Sequence, residues 1–181
     1  MIQSFNCILP HEPPVALILG SLPSVTSLGQ QQYYAHPQNA FWRIIEALFA
    51  NGAPCTYDER IELLKQNRIA LWDVIATAKR EGSLDSAIEP QTVIPNDIVG
   101  LLNAYPSIKT IYLNGGTAAT LFRRLIAKKL SATVQIIPLP STSPANARMG
   151  FEEKLGKWGV IKENGRAQCI KSTYCTLKIT T

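Results

Sequence analysis

Four apolar runs, each ending in a turn of small or polar residues, constrain this chain more than any other feature. The first, Val15-Ala16-Leu17-Ile18-Leu19-Gly20, is a continuous apolar stretch closed by glycine, which suits a strand buried on both faces of a parallel sheet. Ile69-Ala70-Leu71-Trp72-Asp73-Val74-Ile75 reads as a second buried strand, and Lys109-Thr110-Ile111-Tyr112-Leu113 as a third that ends at Asn114-Gly115-Gly116. Val134-Gln135-Ile136-Ile137-Pro138-Leu139 is the fourth, with Pro138 marking an end or an edge of the ladder. Between these runs the period is helical. Residues 40–50 bring Phe41, Ile44, Ile45 and Leu48 to one face and stop at Asn51-Gly52. Asp58 to Arg68 and Thr117 to Leu130 are further helices, Pro95-Asn96-Asp97 opens a short one reaching about Ala104, and a last one covers 151–162. Strands alternating with helices predict a parallel sheet covered on both faces.

Length and composition then exclude whole classes of function. At 181 residues the chain is expected to hold one domain, 1–162, followed by a tail, 163–181, that is open between disorder and a late edge strand. The 46% hydrophobic and 17% charged fractions are those of a globular protein. No apolar run approaches the ~20 residues of a membrane span, and the N-terminus lacks the pattern of a secretory signal. The expected compartment is the cytoplasm, with a nucleoid association. The four cysteines, Cys7, Cys55, Cys169 and Cys175, form no CxxC pair, and only His11 and His36 are at hand to help bind a metal. No metal and no other cofactor is expected, and the thiols read as buried or idle. The net charge of +5 hints at a polyanionic partner.

In a parallel α/β sheet, ligands sit outside the carboxyl ends of the strands. That rule singles out Gly20 to Ser24, the stretch that begins at Asp73, Asn114 to Gly116, and Leu139 to Asn146. All but the second are rich in small, hydroxyl or amide residues, so the expected site works by hydrogen bonding rather than by metal or acid chemistry. In Gly20-Ser21-Leu22-Pro23-Ser24, the glycine permits close backbone approach and the hydroxyls suit a phosphate or a base; a plain strand-exit turn explains the same residues. In Tyr33-Tyr34-Ala35-His36-Pro37-Gln38-Asn39-Ala40-Phe41-Trp42, Asn39 directly precedes a helix and fits an N-cap. Yet aromatics beside amides are also what a pocket for an extruded base requires. Ser141, Thr142 and Ser143 offer hydroxyls to phosphate, while Ser143-Pro144 equally fits a helix cap and first turn. Asp73 is either a catalytic carboxylate or a capping or salt-bridged one. Arg123, Arg124 and Lys128 share an arc of one helix, facing DNA or only solvent.

Taken together and in order, GSLPS, YYAHPQNAFW, LWDVIATAKREGSLDSAI, LNGGTAATLF and LPSTSPANA resemble the uracil-DNA glycosylase superfamily, and within it the hypoxanthine-DNA glycosylase branch. The resemblance spans residues 20–147. It implies an α/β three-layer sandwich, with a central, mostly parallel four-stranded sheet flanked by helices and DNA at the strand carboxyl ends. It implies that Asn39 is the catalytic amide and that Tyr34 stacks on the extruded base. Asn114 is the candidate for reading the base edge, with Gly20, Ser21 and Phe41 beside it. The segment around Ser141, Thr142, Ser143 and Asn146 would grip the DNA backbone, helped by Ser24 and Arg148; Asn146, Arg148 or Met149 would fill the gap left in the duplex. The chain departs from its relatives at Leu22, where they carry a water-activating Asn or Asp, and at Leu139, where many uracil enzymes carry His.

The chemistry fits these residue types. Deamination of adenine turns an acceptor N1 and a donor amine into a donor N1–H and an acceptor O6, an edge that a fixed amide complements. Cleavage through a cation-like sugar needs a placed water and a stabilised leaving base more than a strong general base. The expected activity is a monomeric, monofunctional deoxyinosine glycosylase acting on DNA, because Lys79, the only lysine in the motif segments, sits in a charged stretch unlike a Schiff-base site. Two alternatives remain: a uracil or broad-specificity mismatch glycosylase, and a non-catalytic DNA-binding member of the superfamily.

Overall fold

The computed structural model describes residues 1–130 and 134–162. In chain order the elements are β1 (Ile2–Gln3), β2 (Ala16–Gly20), α1 (Val25–Gln30), α2 (Phe41–Phe49), α3 (Tyr57–Gln66), β3 (Ile69–Asp73), β4 (Ile75–Ala78), β5 (Ile94–Pro95), α4 (Ile98–Ala104), β6 (Thr110–Asn114), α5 (Gly116–Leu125), β7 (Gln135–Leu139) and α6 (Phe151–Trp158). The four expected strands form one sheet in the order β3-β2-β6-β7, with every pair parallel. Pro138 lies on the edge strand β7, where a missing N–H costs the ladder least.

Alternation of side chains across the sheet builds two cores. On one face Ala16, Ile18, Ile69, Leu71 and Tyr112 pack under α2, α3 and α6. On the other, Leu17, Leu19, Ala70, Ile111 and Leu113 pack under α4 and α5. The result is the three-layer sandwich expected of this pattern. Largest among the wholly buried side chains on the first face are Trp158, Tyr112 and Phe41. Phe41 meets Trp42 and Trp158 edge-on at 4.8 and 5.7 Å between ring centroids. Among the described residues no helix is long and apolar enough to cross a membrane.

The structure departs from the sequence pattern at several joints, each for a local reason. The apolar run Ile69–Ile75 divides at Val74, whose N–H goes to the Gly20 carbonyl at 2.9 Å. Beyond it, β4 joins β1 and β5 in a small antiparallel sheet that the pattern does not predict. The helix expected over Thr117–Leu130 stops at Leu125: Ile126 turns into the second core, 2% exposed, and a tighter 3-10 turn, Ala127–Lys129, follows it. The last helix is broken at Gly159, which caps Phe151–Trp158, and helical backbone resumes over 160–162, so the expected extent is met apart from that break. Helix α1 has no apolar period in its sequence VTSLGQ to announce it, and it starts on the Ser24 cap alone. Ser143-Pro144 opens no helix; α6 begins only at Phe151, after Gly150. The expectation for residues 163–181, which include Cys169 and Cys175, lies outside the described residues.

Phe41 joins α2 to the core from beneath the carboxyl end of the sheet. Replacing it with alanine is expected to cost about 3–5 kcal/mol through lost burial and an unfilled cavity. Urea unfolding measures this, and a shift no larger than that of a surface substitution, ~0.5 kcal/mol, would contradict the assignment.

Candidate functional site

Parallel register sets the floor of the site. Gly20 pairs with Asp73, Leu19 with Leu113, and Asn114 with Leu139. Asp73, Gly20, Asn114 and Leu139 therefore form one row across the carboxyl end of the sheet, on the face that α2 covers. Gly20 is the gap in that row: a Cβ there would collide with both Asp73 Oδ1 and Tyr34 Oη. Above the row opens a cavity of about 570 Å³, within the size range of small-molecule sites. Its walls come from the loop after β2 (Ser21, Ser24), from Tyr34 and Asn39, from Asp85 and Ser86, and from the loop after β7 (Ser141, Asn146, Arg148).

Tyr34 is held in two ways. Its backbone adopts φ 53°, a left-handed conformation that side chains with a Cβ rarely take. Its ring stacks on Phe41 at 4.1 Å between centroids with an interplanar angle of 27°. Phe41 itself is wholly buried behind Tyr34 and does not line the cavity, so its expected contact with a base is replaced by support of the ring that does. The Tyr34 hydroxyl is buried, and no group meets it with hydrogen-bond geometry. Burial pushes the phenol well above its ordinary value, with the Asp73 carboxylate adding to the shift and the nearby Asn114 amide opposing it.

Asn39 lines the cavity and also serves the helix. Its Oδ1 accepts the Phe41 N–H at 3.0 Å, which assigns the oxygen and leaves Nδ2 without a partner among the described residues. Asn39 is not the expected N-cap, which falls on Ala40 without a side-chain bond; it accepts the first helical N–H from one position further out, and this contact and the cavity use different atoms of one amide.

The other amides and hydroxyls divide between the cavity and the scaffold. Asn114 donates from Nδ2 to Thr142 Oγ1 at 2.9 Å and accepts the Thr142 N–H on Oδ1 at 3.0 Å, while the Thr142 carbonyl accepts the Ala40 N–H at 2.9 Å. Thr142 is 1% exposed. It locks three segments together and is not placed to grip DNA, which corrects the expectation for this residue. Asn114 keeps one Nδ2 proton uncommitted by that clasp. Ser141 accepts the Ser143 N–H at 3.2 Å and packs on Gly115, whose φ of 94° a side chain would strain. Asn146 donates to the Ser141 carbonyl at 3.1 Å. Ser143 accepts the Ala145 N–H at 3.2 Å, in a turn rather than a helix. Ser24 caps α1 and donates to Ser27 Oγ at 3.0 Å. Arg148 lines the cavity with no ion-pair partner among the described residues. Arg123, Arg124 and Lys128 lie outside the lining.

The sequence pattern predicts a site without acids; the structure places two in it. Ser21 Oγ donates to Asp85, at 2.9 Å to Oδ1 and 2.8 Å to Oδ2, and Arg80 stands 3.9 Å from Oδ1. Arg80 is buried and donates to the carbonyls of Leu22, Pro23 and Gly82, so it also fixes the first loop. Leu22 is 7% exposed. Asp85 escapes a reading of the residues because nothing in GSLDSA distinguishes it; only the fold carries it across 64 residues to Ser21.

Asp73 is 3% exposed and neither caps a helix nor pairs with a cation among the described residues. Ser4 Oγ donates to its Oδ2 at 3.0 Å, and Oδ1 receives no hydrogen bond from the described residues. Burial lifts its carboxyl to about 7, with Asp85 adding and Ser4 and Arg80 opposing. The neighbouring Cys7 thiol is pushed up to about 12 by burial and by Asp73, as befits an idle thiol. Among the described residues, no three His, Cys, Asp or Glu gather in a group that could hold a metal ion.

A parallel four-stranded sheet with an amide- and hydroxyl-lined cavity at its carboxyl edge defines a class that comparison with known proteins identifies. The model of the uracil DNA glycosylase superfamily matches residues 10–159, and the chain belongs to that superfamily. It is 38% identical over 160 residues to a hypoxanthine DNA glycosylase of Methanosarcina acetivorans, covering 88% of this chain and 96% of that one. It is 40% identical over 114 residues to a hypoxanthine DNA glycosylase of Methanosarcina barkeri, covering 62% and 70%. The solution NMR structure of a candidate uracil DNA glycosylase from Methanosarcina acetivorans superposes with a TM-score of 0.72 at 34% identity, covering 89% of this chain and 96% of that one.

The buried acid makes a prediction about stability. A carboxyl held at about 7 when folded and 3.8 when exposed binds more protons in the folded chain between those values, so stability falls as pH rises through that window. Asp73→Asn removes this titration. Its melting temperature relative to wild type is expected to be higher at pH 8 than at pH 4, and an equal gap at both would contradict the assignment.

Proposed function

We propose that this protein is a DNA glycosylase that hydrolyses the N-glycosidic bond of deaminated bases, chiefly hypoxanthine, and leaves an abasic site. One observation carries this reading: a cavity roomy enough to admit a nucleobase, in which the Tyr34 ring, backed by Phe41, stands with the free Nδ2 of Asn39 in the same lining. The named activity of the Methanosarcina relatives supports the choice of hypoxanthine.

The target nucleotide leaves the duplex and its base lies against the face of Tyr34 that Phe41 leaves open. Extrusion costs a few kcal/mol, less for a mispaired lesion, and stacking returns roughly 1–3 kcal/mol. Water then adds to the sugar C1′ as the bond from C1′ to the base nitrogen breaks; the electron pair leaves on the purine, and the proton shed by the water passes through solvent to the departing base. An amide cannot deprotonate water at neutral pH. With Oδ1 tied to α2, Asn39 acts through Nδ2, orienting the water or stabilising charge on the departing base, at a position its backbone bond holds fixed. Ser141, Asn146 and Arg148 lie at the rim, where the strand on either side of the lesion would pass. No lysine lines the cavity among the described residues, which supports base removal without strand cleavage through a Schiff base. The protein acts on DNA as a monomer in the cytoplasm and needs no metal.

Purified protein in the presence of a chelator is expected to release hypoxanthine from a deoxyinosine-containing duplex, reported by alkali-dependent strand scission. Asn39→Ala should lower the single-turnover rate roughly 10²–10³-fold, the effect of losing one fixed donor to a transition-state charge. Scission-free products from deoxyinosine, uracil and xanthine duplexes alike would overturn the proposal.

A further inference from the structure

Asp73 has no part in the base-removal step as assigned to Asn39 and Tyr34. It is buried at the carboxyl end of the sheet, and Ser4 occupies one oxygen; the other lies against Gly20 within the cavity lining and takes no hydrogen bond from the described residues. The one side-chain bond of Asp73 to the scaffold, from Ser4, is one that an amide oxygen would accept equally well. The Tyr34 hydroxyl is buried on the same side of Gly20 and meets no group in full hydrogen-bond geometry, with only the Asn114 amide near it, so the gap left by the glycine is walled by polar atoms with bonding capacity to spare. Buried polar groups of this kind call for a ligand that completes them.

We propose that Asp73 is the specificity-determining residue of the cavity: its Oδ1 accepts the ring N–H that deamination creates. The inference rests on the glycosylase function proposed for this cavity and deepens it. Adenine presents a bare N1 lone pair at this edge and cytosine a bare N3; hypoxanthine, xanthine and uracil present N–H there instead. A carboxylate accepts on both oxygens whichever way it rotates, so it meets the N–H and repels the lone pair. A side-chain amide would discriminate less, because a half-turn of the group exchanges its donor for its acceptor. This explains why an acid rather than an amide stands in the row with Asn114, whose Nδ2 proton not held by Thr142 lies toward Tyr34 and supplies a donor on the opposite side of Gly20. Leaving a buried partner unmet costs far more selectivity than a misfit of shape. Guanine also carries N1–H; its exclusion falls to the cost of drawing it from a G·C pair.

The test works at pH 8 with single-turnover rates on three duplexes, whose target bases are hypoxanthine, unsubstituted purine with its bare N1, and 1-deazahypoxanthine, which keeps O6 but has C–H in place of N1–H. Wild type is expected to release 1-deazahypoxanthine at least tenfold more slowly than hypoxanthine. Asp73→Asn is expected to lower hypoxanthine release at least tenfold and to leave purine release unchanged or raised, collapsing the ratio between them. Equal wild-type rates on hypoxanthine and its 1-deaza analogue, or an equal loss on hypoxanthine and purine in Asp73→Asn, would overturn the assignment while leaving the glycosylase reading intact. Wild type that releases hypoxanthine from none of its duplexes would instead sink that reading, and this inference with it. The 1-deaza comparison uses only wild-type protein, so it decides the matter even if the variant does not fold.

Discussion

In-register parallel pairing of β3, β2 and β6 is the constraint on which the rest of this structure depends. Because register partners share a face, it aligns Asp73, Gly20 and Asn114 in one row at the carboxyl end of the sheet. A slip of one residue in β2 would turn Gly20 to the other face and fill the gap with a larger side chain. The row is then roofed from one side by the segment carrying Tyr34 and Asn39, and that roof is tied down by the Asn114–Thr142 clasp and the bond from the Ala40 N–H to Thr142. Site and scaffold are thus the same set of hydrogen bonds read from two directions.

Much of this was legible in the residues. The apolar runs located the four sheet strands to within a residue or two, and the rule that ligands meet the carboxyl ends of parallel strands pointed to the segments that now line the cavity. Tyr34 and Asn39 stood out through the family resemblance of their segment, since the pattern alone fits Asn39 equally to a helix cap. The features that the residues concealed are tertiary. Asp73 sits in an apolar run with the look of an uninterrupted strand, and its isolation from cations follows only from the packing of Ser4 and the N-terminal segment over it. Asp85 depends on Arg80 and Ser21, partners five and 64 positions away. Thr142 has the look of a surface hydroxyl in a Pro- and Ser-rich turn, yet it is 1% exposed, because the amide opposite it satisfies both its groups.

The acids alter the electrostatic picture of a basic chain. The net charge of +5 favours approach of a polyanion. Inside the cavity, however, Asp85 raises the cost of ionising Asp73, and the first loop is stabilised by one buried guanidinium. A polar lining of this kind is expensive to keep empty and selective when filled, as a site requires that must distinguish bases by the position of one proton. Stability given up at Asp73 is the counterpart of the discrimination assigned to it.

The most direct measurement is a crystal structure of the protein with a duplex carrying 2′-fluoro-deoxyinosine, whose glycosidic bond resists cleavage. The account expects the hypoxanthine ring out of the helix and lying against Tyr34, with N1 at Asp73 Oδ1 and Asn39 Nδ2 within hydrogen-bond reach of the base or its attacking water. A lesion left stacked in the duplex, or an extruded base lodged anywhere but above Gly20, would contradict it.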